Sequence, residues 1–123
     1  MEFEKQDIRD YKDLLVWQKG INLVEVVYRI TGNLPACEQW GLTSQMRRAA
    51  VSIPSNIAEG YGRQSTGNYK QFLSISRGSL LELETQIYLC VRLGYLNQND
   101  AEEAFSKIIE LNKMLSSLIK RIK

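Results

Sequence analysis

Histidine is absent from the 123-residue chain. That gap excludes Ser-His-Asp and Cys-His relays, a histidine-bound zinc, and the Glu-x-x-His di-iron pattern of ferritin-like bundles. Cysteine is almost as scarce. Cys37 and Cys90 lack CxxC spacing, so both are expected to be small buried apolar residues with no disulfide or metal role. There is no glycine-rich phosphate loop, since Gly60 and Gly62 share only a spacing fragment with such motifs. No apolar run approaches the roughly 18 residues that cross a bilayer. The start, MEFEKQDIRDYKD, has no apolar stretch of the kind that forms a secretory signal, so a cytoplasmic protein with no membrane role is expected.

The acids do not rescue an enzyme. Glu82 and Glu84 are two apart and point about 200° from each other on a helix, which prevents them from chelating one ion. Glu59 or Glu82 is expected to be partly buried and paired with Arg48, Arg63 or Arg77. No catalytic residue, metal or cofactor is assigned, and the chain is expected not to be an enzyme.

With 44% hydrophobic and 24% charged residues, the composition is that of an ordinary globular protein of one domain. Apolar residues recur at helical spacing in four segments, and none alternates with the period of two that a half-buried strand needs. An all-α protein is expected: one antiparallel up-and-down four-helix bundle over residues 1–123, with 1–11 as a loosely ordered N-terminal arm.

The first segment, about Lys12 to Thr31, is apolar nearly all round. Leu14, Trp17, Ile21, Val24 and Tyr28 form one seam, and Leu15, Val16, Leu23, Val26, Val27 and Ile30 widen it, leaving Gln18, Asn22, Glu25 and Arg29 as a narrow polar stripe. The third segment, about Thr66 to Tyr95, carries a seam from Phe72 and Leu73 to Cys90, and Gly78 with its serines would permit close helix approach. Thr66 is its candidate cap. In the fourth segment Ala101, Ala104, Ile108, Leu111, Leu115, Leu118 and Ile122 step by three and four, with Asn99 and Glu102 as a capping pair. Two wide apolar arcs in so small a bundle point to a homo-oligomer.

The second segment runs Leu42, Met46, Ala49, Ile53, Ile57 with Pro54 inside it. An interior proline removes a hydrogen bond and crowds the carbonyl of Ala50, at a cost of roughly 3 kcal/mol. The expected outcome is a kink near Ala50 and Val51, with Ser52, Ser55 and Asn56 bonding freed carbonyls. Gly60 and Gly62 suit a helix end that needs positive φ. The bent helix is either a shape device alone or also the means of presenting Arg47, Arg48 and Arg63 on one surface.

Several linked motifs occur in order: LLVWQK at 14–19, Leu34-Pro35 to Glu38, GLTSQ at 41–45, RRAAVSIPSNIAEGYGR at 47–63, GSLLELETQIYL at 78–89 and LGYL at 93–96. Together they resemble the four-helix bundle family encoded in intervening sequences of bacterial large-subunit ribosomal RNA genes. Members of that family are similar to the accessory variability protein of diversity-generating retroelements. The resemblance implies an up-and-down bundle, assembly into a homopentamer, nucleic-acid binding through a basic surface, and work beside a reverse transcriptase.

Net charge is only +2, but its distribution is uneven. Between Thr43 and Leu81 lie Arg47, Arg48, Arg63, Lys70 and Arg77 against the single acid Glu59. These five are the candidate nucleic-acid contacts, for RNA or DNA. The competing expectation is a protein-interaction scaffold that uses the surplus apolar surface and has no direct nucleic-acid role.

Overall fold

A computed structural model describes residues 8–122. Four helices carry the fold: α1 Leu15–Thr31, α2 Leu42–Tyr61, α3 Thr66–Arg92 and α4 Gln98–Arg121. Among the described residues there is no strand. Each helix packs on two neighbours, α1 and α3 each touching both α2 and α4, and α2 on α3 is the most extensive contact. Short connections force successive helices to run antiparallel. The all-α bundle expected from the sequence is the observed architecture.

The expected arm at 1–11 lies outside the described residues up to position 7. From there a short 3-10 turn, Tyr11–Asp13, replaces the first residues assigned to α1. Asp10 accepts from the backbone N–H of Lys12 at 2.7 Å, and Asp13 accepts from that of Asp10 at 3.3 Å. This reciprocal capping satisfies the turn by itself. The helix proper therefore waits until Leu15, past an extended Leu14. Tyr11 then packs edge-on against Trp17, ring centres 5.4 Å apart.

On α1 the buried side is Val16, Leu23, Val26, Val27 and Ile30, whereas Trp17, Ile21 and Val24 are half-buried and Tyr28 is exposed. These meet Met46, Ile53 and Ile57 of α2, Leu73, Leu80, Leu83 and Ile87 of α3, and Ile108, Leu111 and Leu115 of α4 in one core. Arg29 reaches across to Glu103 at 2.6 Å, and Lys19 to Glu110 at 3.3 Å, tying α1 to α4 at the surface. Such exposed pairs contribute about 0–1 kcal/mol each, so the core carries the stability.

Pro54 lies inside an α2 that runs unbroken to Tyr61. Its ring is buried against α1 at Gly20, where an added Cβ would lie 3.4 Å from the proline Cβ. Around it, the Ser52 hydroxyl donates to the Ala49 carbonyl at 3.0 Å, and the Asn56 amide donates to the Ser52 carbonyl at 2.8 Å. Neither bond goes to Ala50, the carbonyl that the proline deprives. From α3, Ser76 donates to the Ile53 carbonyl and Ser79 hydrogen-bonds with Ser52.

The glycines act elsewhere than their spacing suggests. Gly60 does not take a positive φ. It is buried where α3 crosses α2, and a Cβ there would sit 2.7 Å from that of Phe72. Gly62 ends the helix at φ −76°, an ordinary conformation. Gly78, expected at a close approach, faces open space. Among the described residues the positive φ belongs to Gly94, at +78°, where α3 ends: Tyr95 N–H bonds the Cys90 carbonyl at 2.8 Å and Gly94 N–H that of Val91 at 3.1 Å. That is a Schellman stop, and it ends α3 three residues before Tyr95.

The caps shift in the same way. Ser65, not Thr66, caps α3 by accepting from Asn68 N–H at 3.0 Å, because Ser65 is the extended residue before the turn. Asn97, not Asn99, caps α4 by accepting from Asp100 N–H at 2.8 Å, so α4 begins a turn fragment earlier. Cys90 is buried as expected, but Cys37 is exposed on the 3-10 turn Ala36–Glu38.

Two tests follow from the packing. Gly60→Ala is expected to lower unfolding free energy by about 1–3 kcal/mol in urea titration, since its neighbour is the stem of Phe72 and cannot yield. Gly78→Ala, in open helical surface, is expected to raise it by about 0.5–1 kcal/mol; matching effects at both sites would contradict this account of α2–α3.

Alkaline titration gives the second test. Burial, then the neighbouring Tyr61, pushes the Tyr69 phenol from 10 up to about 12. Burial, then Glu38, pushes the Cys90 thiol from 9 up to about 11. Both groups hold their protons more tightly folded than unfolded, so their stabilisation is complete below pH 9 and fades as pH climbs through about 11 to 12. The urea midpoint should fall along that limb, and Tyr69→Phe should shallow it.

Candidate nucleic-acid interface

The loop between α1 and α2 is held by Glu38. One carboxylate oxygen accepts from Leu42 N–H at 3.0 Å, serving the first turn of α2, and the other accepts from the Tyr95 hydroxyl at 3.2 Å. Gly41 leaves room beside it, because a Cβ would stand 2.6 Å from the Glu38 oxygen and displace the carboxylate. With Leu34 buried on one side and Glu38 fixed on the other, Trp40 is turned outward and is 84% exposed.

Beneath Trp40 opens a groove of about 590 Å³, walled by Tyr28 of α1 and by Thr43, Ser44, Arg47, Arg48 and Val51 of α2. Arg47 forms its inner wall. Its guanidinium lies 4.5 Å from the centre of the Tyr28 ring, its Nε donates to the Thr31 hydroxyl at 2.9 Å, and Thr31 in turn donates to the Val27 carbonyl at 2.6 Å. A cation at the last turn of α1 is also favoured by the helix dipole. Arg47 thus closes the end of α1.

Arg48, one residue on, is exposed and has no ion-pair or hydrogen-bond partner among the described residues. Ser44 is one turn before it and Val51 and Ser52 one turn after, so a single face of α2 floors the groove.

The other sequence candidates are placed apart from it. Arg63 pairs with Glu59 at 2.7 Å and lies 4.9 Å from the centre of the Phe72 ring, so Glu59 has the arginine expected for it. Lys70 and Arg77 are seven residues apart and share a stripe of α3 with Glu84. Glu84 lines a second groove, of about 490 Å³, with Tyr88, Phe105 and Ile109. The structure therefore brings Arg47 and Arg48 together, sets Lys70 and Arg77 on the flank toward α4, and leaves Arg63 at the far end of α2.

That flank also exposes Leu81, Tyr88 and Ile109 by about half each. A third groove, of about 300 Å³, continues the first along α1 and α2 through Trp17, Ile21, Val24, Val51 and Pro54. Among the described residues no cluster of acids and cysteines could hold a metal, and no helix is long and apolar enough to cross a membrane.

Helical periodicity missed Trp40 and placed Tyr28 in an apolar seam of α1, whereas Tyr28 is exposed and walls the groove. Trp40 belongs to no apolar seam, and a tryptophan between Glu38-Gln39 and Gly41, ahead of the Leu42 seam, was the available signal.

The family model of the 23S rRNA-intervening sequence protein matches residues 12–117, which include every residue of the groove. The chain belongs to this family. Its fold is also that of a solved structure from Bacteroides thetaiotaomicron, described as a protein with unknown function from the S23 ribosomal protein family. That chain is 26% identical, with a TM-score of 0.78 over 86% of this chain and 99% of the other. No curated protein sequence matches significantly.

The two neighbouring arginines of this family member are expected to behave oppositely in unfolding experiments. Arg47→Ala strips the Thr31 hydroxyl of its donor and uncovers Tyr28, and should cost about 1–2 kcal/mol. Arg48→Ala should change stability by no more than about 0.5 kcal/mol. Equal losses would show that Arg48 also has a structural partner.

Proposed function

We propose that this family member is a non-enzymatic, cytoplasmic, homo-oligomeric accessory protein that binds nucleic acid through basic residues of α2 and α3. One observation carries the reading. From Thr43 to Leu81 the single acid, Glu59, is already neutralised by Arg63, so Arg48, Lys70 and Arg77 remain without an acidic partner among the described residues. Uncompensated cations of this kind neutralise phosphates and release counterions, which gives affinity without sequence readout.

Self-assembly is the other half of the reading. The half-exposed Leu81, Tyr88 and Ile109 form an apolar flank larger than isolated surface aliphatics. A homopentamer, as the family resemblance implies, would repeat each cationic patch fivefold. The same flank supports a second reading, a scaffold that docks another protein such as a polymerase. Light scattering separates the two, since a Tyr88→Glu variant should dissociate an oligomer that uses this flank and leave the mass of a scaffold unchanged.

The test of nucleic-acid binding is affinity for labelled RNA and DNA across a salt series. Binding should weaken as salt rises, and replacing Arg48, Lys70 and Arg77 together with alanine should lower the slope of log affinity against log salt by up to about 2–3, at roughly 0.7–0.9 per lost phosphate contact. Absence of salt-sensitive binding at low ionic strength would overturn the reading.

A further inference from the structure

We infer that the groove below Trp40 takes an unstacked base of a single strand, with Arg48 on the adjoining phosphate, so that the protein prefers single strands to duplex. The inference rests on the nucleic-acid reading above and names the part of the nucleic acid that is held.

The two aromatics at this groove are not equivalent. Tyr28 has one face covered by the Arg47 guanidinium, 4.5 Å from its ring centre, and Arg47 is held there by Thr31 at 2.9 Å. Tyr28 is therefore a wall. Trp40, 84% exposed, has no ring or cation partner among the described residues, although the loop that carries it is pinned by Glu38 to both Leu42 and Tyr95. An indole carried on a held loop and bare on its faces is a stacking platform.

Charge complements it. Arg48 stands on the floor of the same groove of about 590 Å³, exposed and without an acid, with the hydroxyls of Thr43 and Ser44 one turn away. The constellation is one aromatic face, one free cation and neutral hydrogen-bonding groups. A splayed nucleotide offers a base face and a phosphate oxygen at the same time. A duplex keeps its bases stacked on one another and offers Trp40 only its backbone.

The protein has two tryptophans, Trp17 and Trp40. Trp17→Phe keeps the aromatic contact with Tyr11 and leaves Trp40 as the only indole. This variant is titrated at low salt with a short unstructured RNA strand and with a blunt RNA duplex of matching length. The expected result is quenching of Trp40 emission by the strand and not by the duplex. In the parent chain, Trp40→Ala should weaken strand binding about ten- to hundredfold and leave duplex binding unchanged, while Trp40→Phe retains most of the affinity. Should Trp40→Ala fail to fold, the emission of the Trp17→Phe protein still decides. Equal salt-sensitive binding of strand and duplex with unchanged Trp40 emission would overturn this inference and leave the nucleic-acid reading standing. No binding of either would overturn both.

Discussion

The close approach of α2 to both its neighbours is the constraint on which the rest of the structure depends. At one point the Pro54 ring rests on Gly20 of α1, and two turns later Gly60 rests against the stem of Phe72 on α3. Just before the proline, Ser76 and Ser79 of α3 bond to the Ile53 carbonyl and the Ser52 hydroxyl of α2. Small residues let the helices come close, and the serines bond across the contact to α2. A proline in mid-helix is costly alone. Here its ring fills the gap that Gly20 leaves, so the local loss is offset by packing.

That geometry decides what the surface offers. Because α2 is pressed against α1 along its Pro54 side, the preceding turns bring Arg47 over Tyr28 and leave Arg48 outward. Adjacent positions on one helix, a hundred degrees apart, have thereby acquired opposite roles. Arg47 closes the C-terminal turn of α1, whereas Arg48 has only solvent. Trp40 follows the same pattern: Glu38 ties its loop to Leu42 and Tyr95, and the indole stands outside the core. Charge and aromatic surface meet through constraints imposed by the core.

Much of the bundle was legible in the sequence, and the failures share a cause. Helical spacing located all four helices, because burial of one face is encoded at every turn. It misjudged which arc of α1 is innermost: Val16, Leu23 and Val27 face the core, and Trp17 and Val24 line a groove. Which of two apolar arcs is buried depends on the neighbouring helices, and the pattern along one helix does not contain that information. The glycines and caps failed for a related reason. Gly60 and Gly94 carry the same letter, yet one answers to Phe72 and the other to a chain reversal. At the candidate site, local charge found Arg48, but also Arg47, whose partner Thr31 becomes visible only in the fold, and Arg63, which the fold selects from the three arginines open to Glu59.

The measurement that tests the account most directly is ultraviolet cross-linking of a photoreactive single-stranded RNA to the assembled protein, with the attachment sites read by peptide mass spectrometry. The account predicts cross-links concentrated on the peptide that carries Trp40 and on the one that carries Arg48, suppressed by added salt. Cross-links confined to the α3–α4 flank, or spread evenly over the lysines, would contradict it.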